Sequence, residues 1–115
     1  MGEWSDNPWD NDAAADWFGN LMHSTRLRNA WCEGMRADPD DDKGEIRYAA
    51  SWLFVQLGRI YVWPMETFEA DLELTIRVLE ELRSNPRLSE SDPDSWKARM
   101  DDYIGELEKR RPVAR

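Results

Sequence analysis

The side chains here that could do chemistry are carboxylates, tryptophans, one cysteine and one histidine. Asp38, Asp40, Asp41 and Asp42 crowd into one short stretch, which raises the question of a divalent cation. An EF-hand loop beginning at Asp38 would place Asp40 and Asp42 at its third and fifth positions. Lys43 then stands where the sharp turn needs Gly, and Ala49 where a bidentate Glu closes the site. The calcium-loop reading fails on both, and a solvated acidic loop leading into the next helix accounts for the cluster. Asp10, Asp12 and Asp16 pose the same question nearer the N-terminus, where acids complement the positive end of a helix dipole. No metal site is assigned to either group.

Zinc and di-iron centres need several His or Cys ligands, or a Glu-x-x-His pair, and the chain has one of each residue. Nucleophilic catalysis would require Cys32 to meet His23, with a third group to orient the base. A small buried thiol beside Trp31 and a histidine at a helix end explain the two residues without it. Any pair drawn from 24 acids carries little meaning as an acid/base couple, and there is no glycine-rich phosphate loop. No catalytic residue, cofactor or metal ligand is assigned, and the expectation is a protein without catalytic machinery.

The seven tryptophans are Trp4, Trp9, Trp17, Trp31, Trp52, Trp63 and Trp96. The five from Trp17 onward fall on or beside apolar stripes and read as core. Trp4 and Trp9 precede any helix, in an Asn- and Asp-rich arm. They either staple that arm to the body or present an aromatic surface to a partner.

The periodicity that must position these residues is helical. Asp10 or Asn11 caps a first helix running to about Met22, anchored by Trp17, Phe18 and Leu21. Ser24 caps a second, in which Leu27, Trp31 and Met35 recur at every fourth residue, stopping near Ala37 before Pro39. Asp42 and Glu45 resemble a capping box opening a third, with Ile46, Ala49, Leu53, Leu57 and Ile60 on one stripe. That helix, apolar on most sides, is expected at the centre. Thr67 or Pro64 begins a fourth, carrying Phe68, Leu72, Ile76, Leu79 and Leu82, with its acids, Asp71 among them, placed early to suit the dipole. Asp92 caps the last, with Pro93 at its first position and Trp96, Met100, Tyr103, Ile104 and Leu107 facing inward. The fold class is therefore all-α: a compact bundle of four to five helices in a single domain over residues 1–115, with a docked arm at 1–10 and a tail at 111–115.

The net charge of −9 is uneven: ten acids stand against four bases through Gly44, whereas acids and bases balance from Pro86 onward. Such a chain is repelled by nucleic-acid backbones and anionic lipid and attracts basic partners. The opening residues lack the pattern of a signal peptide. Tyr48 to Leu57, the most apolar stretch, is half the ~20 residues of a membrane span. A single cysteine suits a reducing compartment, so a cytoplasmic location is expected.

The opening MGEWSDNPWDNDAAADWFGNL resembles the start of the bacterial domain-of-unknown-function family 4259, at Gly2, Trp4, Trp9, Asp10, Asn11, Asp12, Ala14, Ala15, Asp16 and Trp17. It departs at Ser5, Asp6 and Asn7, where that family has a Gly-Thr-Gly turn. The resemblance covers about the first twenty residues, with the Pro64-led helix and the Trp96 helix similar in order alone. It implies relatives but no activity, and so no residues to carry over.

The expected function is a non-enzymatic, acidic interaction protein that binds a basic protein surface through its N-terminal half, an immunity or inhibitor role being the concrete form. Trp4, Trp9, Asp10, Asp12, Asp38, Asp40 and Asp41 are the candidate partner-binding residues. The alternative is a small-molecule or metal-dependent activity centred on the Asp- and Trp-bearing arm.

Overall fold

The computed structural model describes residues 7–37 and 44–112. Trp4, Asp38, Asp40, Asp41 and Asp42 lie outside them. Five helices follow in order: α1 (Asp12–Thr25), α2 (Leu27–Met35), α3 (Glu45–Leu57), α4 (Phe68–Arg83) and α5 (Pro93–Glu108). There is no strand among the described residues, so the all-α bundle is the observed class.

Local chemistry explains most of the boundaries. Asn11 caps α1, its Oδ1 accepting from the Ala14 amide at 2.8 Å. Asp92 caps α5 in the same way at Ser95, and Pro93 occupies the first turn where no amide is needed. The junction of α1 and α2 differs from expectation. Ser24 does not cap α2; it lies in the last turn of α1, where Ser24 and Thr25 donate back to the Leu21 carbonyl. A single residue, Arg26, turns the chain in the left-handed region at φ 53°. The N-cap of α3 is Gly44, also left-handed at φ 81° and with no side-chain cap bond, and the capping box expected at Asp42 lies outside the described residues.

The core is built on α4. Phe68, Leu72, Ile76, Leu79 and Leu82 are buried as their spacing implies, and Val78 joins them. Trp31, Phe54, Trp63 and Phe68 form an aromatic cluster against it, with Trp31 and Phe54 each edge-on to Trp63 at centroid distances of 5.1 and 4.9 Å. The indole N–H of Trp31 donates to the Ala50 carbonyl at 3.0 Å, and that of Trp96 to Leu82 at 2.9 Å.

α3 does run through the middle, against α2, α4 and α5, but on a different face from the one read off its apolar pattern. Ala50, Ser51, Phe54 and Val55 point inward, while Ile46, Trp52 and Ile60 are exposed. Phe54 decides this orientation: fully buried, it fixes the helix by its ring rather than by its aliphatic residues. Gly58, which ends α3, sits against that ring so closely that any β-carbon would overlap it.

Trp17 and Trp52 are also corrected: they are 60% and 46% exposed and are not core. α1 meets the body chiefly through α2 and buries only Met22 outright, so most of its surface remains outside.

Candidate functional site

The exposed position of α1 opens a groove of about 950 Å³ between that helix and the segment 61–66 joining α3 to α4. Ala15, Gly19 and Met22, spaced four and three apart, form its α1 wall. Val62 and Trp63 are buried on the opposite side, while Tyr61 and Met65, 43% and 53% exposed, stand at the rim. Tyr61 holds its place in the left-handed region at φ 70°. The walls are mostly apolar.

Arg28, which reaches the groove from α2, is held by a carboxylate beneath it. Asp71 accepts from Arg28 Nε at 2.7 Å and Nη2 at 2.9 Å, and from the Trp63 indole N–H at 2.8 Å. Its side chain is 4% exposed against 30% for Arg28. Burial pushes the Asp71 carboxyl upward, but the hydrogen bonds from Arg28, Trp63 and Thr67 together outweigh it and hold the group below the usual carboxylate range. The charge stays on, held by two N–H groups of Arg28 and the indole of Trp63. This is a clasp joining α2, the connecting segment and α4, and a carboxylate so occupied has no lone pair directed at a substrate.

Asp71, expected among the solvated acids that favour a helix dipole, is instead buried. A signal was present: Phe68, Asp71, Thr75, Val78 and Leu82 follow the same three-and-four spacing, so Asp71 and Thr75 are polar residues on the apolar stripe. Thr75 resolves its own burial by donating to the Asp71 backbone carbonyl at 2.8 Å.

Of the candidate partner-binding residues, Trp9, Asp10 and Asp12 fall among the described residues. Asp12 lies one turn before Ala15 on the groove-facing side of α1 and is exposed. Asp10 belongs to the turn before α1, where its carboxylate accepts from the Asn7 amide at 3.1 Å. Trp9 lies elsewhere, half-buried beneath the Arg59 guanidinium, which sits 4.4 Å from its ring centroid. Trp9 thus packs at the end of α3, and the groove and Trp9 are separate features.

The other sequence candidates do not converge on the groove as machinery. His23 lines it and is exposed; Cys32 is half-buried on α2, and no hydrogen bond joins the two. Among the described residues no three His, Cys, Asp or Glu side chains are placed to hold a metal ion. None of the helices described there is long and apolar enough to cross a membrane. No family model, curated protein or solved structure matches the chain.

Proposed function

We propose that this is a non-enzymatic binding protein that receives a basic, partly apolar segment of a partner protein in the groove between α1 and the 61–66 segment. The observation that carries the proposal is the pairing of an open, mostly apolar trough with acids at its edge. Glu66 lines the trough, and Asp12 and Asp16 stand on α1 next to the turn that forms its wall; all three are exposed, with no basic partner among the described residues, while Arg28 is already neutralised by Asp71. Arg26 is the one lining cation without a carboxylate partner among those residues. An apolar floor supplies affinity and the acidic edge supplies orientation and encounter rate.

An immunity or inhibitor role in the cytoplasm, covering the basic cleft of a nucleic-acid-handling enzyme, is the form that best suits a net charge of −9. Asp38, Asp40 and Asp41 extend the same negative field in this reading, and direct nucleic-acid binding is disfavoured by it. The test is to recover the partner by affinity purification from the native host. Its association is then measured with the wild type, with Asp16→Asn/Glu66→Gln, and with Gly19→Leu, which fills the trough where no atom lies within 4 Å of an added β-carbon. The acid variant is expected to slow association and the filled variant to speed dissociation.

A further inference from the structure

On another side of the molecule, a hollow of about 250 Å³ is lined by Trp9, Arg59, Ile60, Phe68 and Arg110. Two guanidiniums meet there, both set just past helix ends: Arg59 beyond α3 and Arg110 beyond α5. The Arg110 side chain is only 10% exposed. One of its nitrogens, Nη1, donates to the Gly58 carbonyl at 3.1 Å. Its other two, Nε and Nη2, are buried and have no hydrogen-bond partner. Glu106 lies 3.6 Å from Nη2, beyond hydrogen-bond length, and is itself half in solvent. Arg59 makes no ion pair among the described residues; its contact is the face of Trp9. Burial and the adjacent Arg59 both work against the charge on Arg110, and Glu106 offsets them only in part, so its pKa falls below that of an ordinary arginine.

Buried guanidinium donors left unmade are costly, and a second cation beside them compounds the cost. An anion removes both penalties. Two cations with a single distant carboxylate favour a dianion over a monoanion, and guanidiniums match the tetrahedral oxygens of phosphate with paired donors. We propose that this hollow binds a single phosphate group, as inorganic phosphate or as the head of a small phosphate monoester whose organic part packs on Trp9 and Phe68. The overall negative charge of the chain disfavours anions at a distance, so recognition rests on contact within the hollow. Because Arg110 Nε and Nη2 are closed to solvent, entry displaces the Trp9–Arg59 pair outward, which couples binding to the seating of Trp9.

The experiment is calorimetric titration of the full chain with inorganic phosphate and, separately, with phenyl phosphate, against sodium chloride at matched ionic strength. One saturable site per chain is expected, weakened at least about tenfold by Arg59→Gln and by Arg110→Gln, the scale of one charge-assisted hydrogen bond. Tighter binding of phenyl phosphate identifies a monoester as the ligand, and equal binding identifies free phosphate. Arg59→Gln is the decisive variant should Arg110→Gln fail to fold, since the Arg59 side chain makes no hydrogen bond among the described residues. A fluorescence change on binding that disappears in Trp9→Phe supports the displacement of the pair. Absence of saturable uptake at millimolar phosphate, the same heat with chloride, or binding unaltered in Arg59→Gln overturns the proposal.

Discussion

A carboxylate taken out of water destabilises a fold by several kcal/mol unless its lone pairs are met, and Asp71 meets the requirement with Arg28 and Trp63. Removing it strands a guanidinium and an indole N–H together. Asp71→Ala should therefore cost about 3 kcal/mol, the lower end for a broken buried pair because Arg28 keeps 30% exposure. Urea midpoints with unchanged slope would measure it. The pH dependence follows from the same contact. The folded-state pKa is depressed, so the clasp's contribution is complete above the unfolded value near 3.9 and is lost as pH falls through the folded value. The wild-type advantage over Asp71→Asn should stay level between about pH 5 and 8 and shrink progressively as pH falls below about 4; an advantage that does not decline at all with acidification would show that the carboxylate charge is irrelevant. The tryptophans divide just as sharply. Trp31→Ala should cost about 3 to 5 kcal/mol, whereas Trp17→Ala, at a 60% exposed site, should change stability by no more than about 0.5 kcal/mol. If chemical denaturation finds the two equal, α1 is packed more tightly than its exposure indicates.

At the scale of elements, α1 is the part least tied to the rest, since Met22 alone of its residues is buried. Its amides should exchange with solvent well before those of α4, which buries eight residues. Equal protection in both helices would mean that α1 belongs to the cooperative core. The end of α3 shows the opposite condition. Gly58→Ala would drive a methyl into the Phe54 ring and should destabilise by about 1 to 3 kcal/mol, measurable as a lowered melting temperature. Helix number and order were legible from the sequence because α2, α4 and α5 carry strong three-and-four spacing and α5 an explicit cap. The inward face of α3 was not, because a helix apolar on most sides gives no preferred direction until Phe54 finds the aromatic cluster. Ser24 misled for a related reason: a hydroxyl near a helix end serves equally as a cap for the next helix or as a donor to the preceding turn, and only the left-handed backbone at Arg26 decides between them.

Across the whole molecule, ion pairs of α3, α4, α5 and the residues just past α5, including Arg47–Glu81, Arg83–Asp101 and Arg111–Glu73, match acids with bases. Asp12, Asp16 and Glu66 around the groove are not so matched among the described residues. The candidate site was only half visible in the sequence for that reason: the excess of acid in the first half can be counted, but the trough depends on the angle at Arg26 and on the path of residues 61–66, which no local pattern encodes. A field of this kind reaches about 8 Å in ~0.15 M salt, enough to act on encounter but not on tight contacts. The most direct measurement of the groove proposal is the association rate of the host-recovered partner as a function of salt, for the wild type and for Asp16→Asn/Glu66→Gln. The wild-type rate should fall with rising salt, the variant should be slower at low salt, and the two should converge at high salt. A partner whose association rate is indifferent to both salt and the acidic substitutions, or the recovery of no protein partner at all, would contradict the groove proposal.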